Sequence, residues 1–453
     1  MASPAFIPLS VLTGAMPEPG LPLGHMHLFR VGGRAHLFVP DGSRIYGIDD
    51  DWAGRLDQAS PGQAAELFEQ MGLGSAPFAG PMDAPEQMPV RTLSLAVAQK
   101  CNLACSYCYA QQGGFGEEPK SMPAEVALRS VDLLFSEASE NDQVTLAFLG
   151  GEPLTNRAVL RQATERAVEL STRTGIAVRF SLTTNGTLIR EDDGEFFDRY
   201  GFSVTVSLDG VGDTHDRLRP FATGRGSYAR ILENVRPLLA MQRRMQVSAR
   251  VTVTPGNLRL RETLNEFIGL GFSSVGFSPM LASPAGTGEM DGASLDTMLD
   301  QMIECGMECE RAILAGRRYP FSNLVTALEQ LHRGTHRPYP CGAGGGYFGV
   351  SAEGGLFACH RFVNDGAAAF GDVERGVDRA AQRQWLAARH ADRQEPCRSC
   401  WARYLCGGGC HHEVIHRGRP ACGYIKGWLD YCLKAYIRLS ALRPDFFGNA
   451  PRA

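Results

Sequence analysis

The spacing of apolar and polar residues changes several times along this chain, and each change marks a predicted element. From His27 the texture is β-like: HLFRV, a Gly-Gly turn, AHLFVP, an Asp-Gly-Ser turn, then RIYGIDD. Short runs rich in branched and aromatic residues, bounded by turn residues, read as strands. A helical stretch, PGQAAELFEQMGL, follows. Residues 26–85 are therefore expected to form a small α+β module of three strands and a helix, behind a Pro-, Gly- and Met-rich lead-in over 1–25. Residues 74–90 have the Gly/Pro/Met texture of a linker.

From Arg91 strands and helices alternate. The candidate strands are TLSLAVA (92–98), QVTLAFL (143–149), AVRFSLT (177–183), FSVTVSL (202–208), MQVSARVTV (245–253) and SSVGFSPM (273–280). Helical patterns such as PAEVALRSVDLLFSEA and NRAVLRQATERAVELSTRT lie between them. Six β units with helical crossovers predict an α/β fold with a parallel sheet over 91–280. A closed barrel takes eight units and roughly 250 residues. The shorter repeat predicts a partial, TIM-like (β/α)6 barrel. Residues 281–340 add two helices as a bridge. After Pro340 the periodicity fades, and Gly and Cys become frequent. This segment, 341–440, is expected to bury little apolar core and to draw folding energy from metal bonds.

Composition narrows the function. With 453 residues, 44% hydrophobic and 21% charged, the chain can hold two or three ordinary domains. A net charge of −4 offers no basic surface for nucleic acid. No run approaches the roughly 20 apolar residues of a membrane helix. The N-terminal residues lack the positive n-region and long apolar core of a signal peptide. A cytoplasmic location follows as the expectation. In a reducing compartment, clustered cysteines mean metal or redox chemistry rather than disulfides.

The 13 cysteines are clustered. Cys101, Cys105 and Cys108 form a C-x3-C-x2-C run directly after a predicted strand, where α/β folds bind ligands. Thiolates at short spacing select iron–sulfur clusters or zinc. A loop with three thiolates can wrap one corner of a cubane and leave the fourth iron open. Seven more cysteines crowd the last quarter: Cys341, Cys359, Cys397, Cys400, Cys406, Cys410 and Cys422. Cys432 follows them, and Cys305 and Cys309 share one face of a predicted helix, as packed core thiols do.

The first run, with Tyr107 at its aromatic position, resembles the C-x3-C-x-Φ-C motif of the radical S-adenosylmethionine enzymes. The resemblance implies a [4Fe–4S] cluster on Cys101, Cys105 and Cys108, with S-adenosylmethionine (SAM) chelated at the open iron. Further elements stand at strand ends, as in that family: Gly150-Gly151-Glu152-Pro153, then Thr183-Thr184-Asn185-Gly186, then Ser207-Leu208-Asp209-Gly210. The resemblance implies cofactor contacts at Gly150, Gly151, Glu152, Pro153, Thr184, Asn185, Ser207 and Asp209. Glycines there would let the backbone approach SAM, and Glu152 would meet its ammonium. Arg250, in the fifth strand, would pair its carboxylate.

The later cysteines resemble the SPASM extension of such enzymes, C-x9–15-G-x4-C … C-x2-C-x5-C-x3-C-xn-C, which holds two auxiliary iron–sulfur clusters. By position, Cys341, Cys359 and Cys410 resemble ligands of an inner cluster, and Cys397, Cys400, Cys406 and a late cysteine those of an outer one. Both Cys422 and Cys432 are candidates for that last place, with Cys422 favoured because GYIK follows it. No cysteine lies between Cys341 and Cys359, so an inner cluster would have an open iron unless a remote thiol reached it.

Sulfatase-maturing relatives carry an Asp after the second of these cysteines. Here the sequence is Cys359-His360-Arg361-Phe362. Together with Cys410-His411-His412-Glu413, this looks more like maturases that install thioether crosslinks in peptides, such as ribosomal-peptide maturases and the quinohemoprotein amine dehydrogenase maturation protein. His360 becomes a candidate base. The expected activity is hydrogen abstraction from a peptide and closure of an intrapeptide Cys thioether. A carbon–carbon cyclophane link and oxidation of Cys or Ser are alternatives. The expected partners are a peptide with a leader, paired to a strand edge of residues 26–85, and a flavodoxin or ferredoxin as electron donor. Two other classes compete: a zinc-stapled peptide-binding scaffold, and an electron-transfer protein without turnover.

Overall fold

The structure, a computed structural model, describes residues 26–73 and 84–448. The expected lead-in and the first part of the expected linker lie outside the described residues. Strands β1 (His27–Val31), β2 (Arg34–Val39) and β3 (Arg44–Ile48) form an antiparallel sheet in chain order. Two helices follow, Asp50–Gln58 and Pro61–Gln70, where one was expected. The first buries only Ala53 and Leu56, too few to print a clear period. Its signal was the cap: the Asp49 side chain accepts from the Trp52 N–H. The module has its own small core around Leu37, Tyr46 and Phe68. It docks on the helix Cys422–Leu442, where the Asp430 carboxylate lies 2.8 Å from His27 Nε2. The His27 ring also stacks 4.1 Å from Trp401.

The main sheet contains β4 (Thr92–Gln99), β6 (Gln143–Gly150), β7 (Ala177–Thr184), β8 (Ser203–Ser207), β9 (Gln246–Val253) and β10 (Ser274–Pro279), all parallel and adjacent in chain order. The two-residue β5 (Lys120–Ser121) pairs antiparallel with the end of β4. Crossover helices cover one face. Arg157–Thr174, for example, buries Val159, Leu160, Ala163, Ala167 and Leu170, an apolar stripe of helical period. It stops at Gly175, whose φ of 72° suits a residue without Cβ. The other face is polar. In β9, Val247, Ala249, Val251 and Val253 are buried against the helices, while Ser248, Arg250 and Thr252 point away from them. In β8, Ser203, Thr205 and Ser207 do the same. A closed barrel fills its interior with branched apolar side chains. Along β8 and β9 this inner face carries hydroxyls and a cation instead.

The sheet does not end at β4. Strand β11 (Tyr347–Val350) pairs parallel with it, and β12 (Gly355–Phe357), β13 (Ala369–Asp372) and β14 (Gly376–Val377) continue antiparallel. The expectation that the segment after Pro340 buries little core is thus corrected. Phe348, Val350 and Leu356 are fully buried in the main core. Strands of two to four residues are too short to show a period, and β4 supplies the neighbour that covers them. The bridge holds the helices Gly292–Leu314 and Ser322–His332. Residues 84–90 are strapped down rather than free: the Met88 carbonyl accepts from Arg379 Nη1 and Gln382 Nε2, both at 2.9 Å. Among the described residues no helix is long and apolar enough to cross a membrane.

Candidate active site

Cys101, Cys105 and Cys108 lie on the loop after β4, at the carboxyl end of the sheet. Burial, opposed by Arg219 and helped by Cys108, Asp209 and Cys101, pushes the Cys105 thiol up to about 12. Burial likewise raises Cys101, with Glu152 and Cys108 adding to it. The three thiols therefore feel one another in a site where burial outweighs the pull of Arg219 and disfavours a bare thiolate. A metal reverses that balance by deprotonating its ligands outright. The donor set fits an iron–sulfur centre.

A buried polar lattice holds this loop. Tyr107 donates to the Asp209 carboxylate and accepts from Arg219 Nη1 at 2.9 Å. Arg219 also pairs with Asp209 at 3.4 Å. The second Asp209 oxygen accepts from Thr252 N at 2.7 Å, and the Asp209 N–H donates to His215 Nδ1 at 3.1 Å. Burial alone would lower the Arg219 guanidinium, but the thiols and Asp209 around it hold it above its ordinary value. Asn185 Nδ2 donates to Asn102 Oδ1 at 2.9 Å and lies 3.7 Å from Cys101 Sγ. Arg219, His215 and Asn102 were not singled out from sequence. For His215 and Arg219 the only signal was a polar run, DTHDRLR (213–219), three residues past the Ser207–Gly210 turn; Asn102 lies within the cysteine run itself.

Several expected contacts have a different geometry. Glu152 is fully buried, and its carboxylate accepts from Leu154 N at 3.0 Å, Thr184 Oγ1 at 2.8 Å and Asn185 N at 2.7 Å. It ties the end of β6 to that of β7 rather than standing free toward a ligand. A Cβ on Gly151 would overlap the Lys100 carbonyl, and one on Gly150 the Ala98 carbonyl. These glycines admit the cysteine loop itself, so their first task is backbone packing. Pro153 opens a short turn of helix, Pro153–Asn156. Ser207 stands opposite Arg250 in the β8–β9 register. Arg250 is solvent-exposed on the inner face and donates to Ser278 Oγ. Burial of its surroundings lowers its pKa.

The later thiols separate into two groups. Cys341 and Cys410 both act on Cys359, whose pKa burial raises to about 12. Cys406, Cys422 and Cys400 act on Cys397, which burial raises to about 11. The second group stands around a cavity of about 320 Å³ lined by all four of its thiols and by Cys410 of the first. Among the described residues no three His, Cys, Asp or Glu side chains converge on a single point, as ligands of one metal ion do. Cys432 sits elsewhere, fully buried in the main core near Glu310 and Asp430. Cys305 and Cys309 are also fully buried, each pushed up to about 12 by burial.

Between the first group and the Cys341 group lie Tyr109, Tyr347, His360 and Arg361. Tyr347 Oη is 2.6 Å from His360 Nδ1, and Arg361 Nη1 reaches Glu413 at 2.8 Å and Cys410 Sγ at 3.7 Å. Burial, then Arg361, lowers His360 to about 4. It is neutral at pH 7 and a weaker base than an ordinary histidine, which counts against it as the expected base. Burial also lowers His411 to about 4 and His412 to about 3.

The family model for the radical SAM superfamily matches residues 95–268. Those residues form a radical SAM domain. The match runs from within β4 into the helix Leu260–Leu270 and includes the first three cysteines, Glu152, Asn185, Asp209 and Arg250. Such a domain implies a [4Fe–4S] cluster and SAM. A serine-type anaerobic sulfatase-maturating enzyme of Klebsiella aerogenes is 25% identical over 80% of this chain and 92% of its own length. A cysteine-type counterpart from Clostridium novyi is 35% identical, over 33% of this chain and 41% of its own length. The fold matches native anSMEcpe with bound AdoMet at a TM-score of 0.65 and 20% identity, over 78% of this chain and all of that one. It also matches Streptococcus suis SuiB bound to precursor peptide SuiA at 0.52 and 15%, over 88% and 98%.

Proposed function

We propose that this chain is a radical SAM enzyme that modifies a peptide or protein and closes an intrapeptide thioether between a cysteine sulfur and a carbon. The observation that carries the reading is the division of ten cysteines into three thiol groups of three, three and four members. Cys101, Cys105 and Cys108 would hold the catalytic cluster. Cys341, Cys359 and Cys410 would hold an inner auxiliary cluster, and Cys397, Cys400, Cys406 and Cys422 an outer one. When bound and reduced, the first cluster with SAM supplies a 5′-deoxyadenosyl radical that takes a hydrogen atom from substrate.

The protein's share is positioning. Ser207 and Arg250, facing each other across β8 and β9, offer a hydroxyl and a cation to the SAM carboxylate. Glu152, Thr184 and Asn185 fix the floor beneath the first cysteines, and Asp209 fixes Tyr107. Gly150, Gly151 and Pro153 set the backbone beside them. Three thiols at the inner group leave a place for a substrate thiolate, which favours the thioether. Forming the carbon–sulfur bond removes two hydrogens: one leaves as an atom to the radical, the other as a proton and an electron to the auxiliary centre. His360, neutral and enclosed, serves that region as a hydrogen-bonding group to Tyr347. The β1–β3 module is the proposed site for a leader segment, a flavodoxin or ferredoxin the electron donor, and the cytoplasm the setting.

A second reading, oxidation of a Cys or Ser side chain, is favoured by the end-to-end similarity to the Klebsiella aerogenes maturating enzyme. One experiment separates them. The anaerobically reconstituted enzyme is given SAM, dithionite and the small peptide encoded beside its gene. A thioether product loses two hydrogens and a cysteine that alkylates. A carbon–carbon link loses two hydrogens with every cysteine still alkylatable. An aldehyde product captures a hydrazide. A brown-free, zinc-loaded protein without deoxyadenosine would overturn the whole reading.

A further inference from the structure

A cavity of about 470 Å³ opens at the seam between the first cysteine loop and the inner thiol group. Tyr109, one residue past Cys108, stands on one side, and Arg361, two past Cys359, on the other. Its size is within the range of small-ligand sites. Two independent features set it apart from the other cavities.

The first is a set of idle polar atoms. Arg361 Nε, Asn364 Nδ2 and His412 Nδ1 are buried without hydrogen-bond partners, and all three residues line this cavity. A buried donor without an acceptor costs on the order of 1–3 kcal/mol. Three in one place mark groups waiting for a partner. Arg361 spends its other nitrogens on Glu413, Cys410 and the Ala282 carbonyl, so Nε alone is left over. The second feature is backbone strain. Six described residues other than glycine have positive φ, and three of them line this cavity: Gln111 at 48°, Phe115 at 53° and Asn364 at 66°. Side chains other than glycine reach that region at a cost, and such strain gathers at working sites.

We infer that this cavity seats the reacting segment of the peptide substrate, with Arg361 Nε–H and Asn364 Nδ2–H donating to its main-chain carbonyl oxygens. The inference rests on the peptide-modifying reading above. Arginine Nε and amide nitrogen are donors only, so their missing partners are acceptors, and an extended peptide presents carbonyl oxygens at regular spacing. Glu413 already neutralises Arg361, which favours a neutral carbonyl over a carboxylate. The seat lies between the two thiol groups. Hydrogen abstraction at one side and sulfur capture at the other would act on the same short stretch of chain.

Asn364 gives the test. Asn364→Gly keeps the left-handed backbone and removes the donor; Asn364→Asp keeps the shape and replaces the donor with a repelling acceptor. With the reconstituted holoenzyme and the peptide encoded beside its gene, KM should rise about 10-fold in the glycine variant and further in the aspartate variant. In both, kcat at saturating peptide should move much less. Hydrogen exchange on the wild-type holoenzyme with and without that peptide reads the same seat with no variant. Residues 111–115 and 363–365 should gain protection. Variants with unchanged KM, or protection confined to other segments, would overturn the seat and leave its idle nitrogens to bound water. A wild-type enzyme that ignores the peptide would instead sink the peptide-modifying reading itself.

Discussion

The loop after β4 and the cysteine field after Pro340 carry the same kind of donor on different supports. The loop rests on folded protein. Arg219, Asp209, Tyr107, His215, Asn102, Asn185 and Glu152 knit it to the ends of four parallel strands, and nearly every polar atom there has a partner. The field after Pro340 is joined to the barrel through β11 on β4 and, farther along, through single side-chain bonds such as Arg379 Nη1 to the Met88 carbonyl and Arg417 Nη1 to the Leu281 carbonyl. Past β14 three of its four outer thiols, Cys397, Cys400 and Cys406, sit on or beside one-turn helices next to the glycine turn Gly407–Gly409, all with positive φ; the fourth, Cys422, opens the last long helix. Polar bonds within the protein fix the first site. On the proposed reading, metal bonds would do more of that work at the last.

That contrast breaks first at the cysteines. Cys101→Ser should abolish deoxyadenosine formation while the circular dichroism spectrum stays that of the wild type, because the polar lattice persists. An unfolded variant would place the loop in the metal-dependent class. Cys422→Ser should remove the outer group's share of iron, read by iron analysis of reconstituted protein, and should loosen residues 397–422 in hydrogen exchange. Full iron retention would assign the fourth ligand elsewhere.

The lattice can be attacked directly. Arg219→Met leaves Asp209 buried without its cation, which costs on the order of 3–5 kcal/mol, measured by denaturant unfolding of the cluster-free protein. A loss below about 1 kcal/mol would mean that Thr252 and Tyr107 suffice. His215 offers a milder probe. It is fully buried, and burial, then Arg219, lowers it to about 3. Its Nδ1 accepts from Asp209 N, so the neutral ring is the folded form. Below its ordinary pKa the unfolded chain takes up a proton that the folded chain refuses. Stability should therefore fall as pH drops from about 6.5 toward 3, by about 2 kcal/mol between pH 7.5 and 5. His215→Gln, which keeps an acceptor and does not titrate, should remove that part of the slope. The smallest effect belongs to Cys432→Ala. Its thiol is core packing, so about 1 kcal/mol of stability should go with the iron content unchanged.

Much of the barrel was legible because its period is local. Six strands with apolar residues at alternate positions, and crossover helices with apolar stripes, announce themselves within a dozen residues. The cysteine loop was legible for the same reason: its three thiols sit within eight residues. The inner face was also printed, in SVTVS and QVSARVTV, as a polar residue at every second place. What could not be read was any contact made at a distance. Glu152 and Asp209 look like free carboxylates in sequence and prove to be struts, because their partners lie 32 to 43 residues on, or come back from an aromatic 102 residues earlier. His360 looked like a base until enclosure was known. The short strands after Pro340 carried no period and were found only by their neighbour.

The sequence by itself determined the ligand type, the six parallel barrel strands and the turns between them, since each depends on residues a few places apart. Tertiary structure alone decided which thiols face which, where a carboxylate spends its oxygens, and where three idle nitrogens gather around one cavity. Burial and pairing are properties of the packed whole. They fix the cost of a charge and the fate of a hydrogen bond through groups that the chain brings together only on folding.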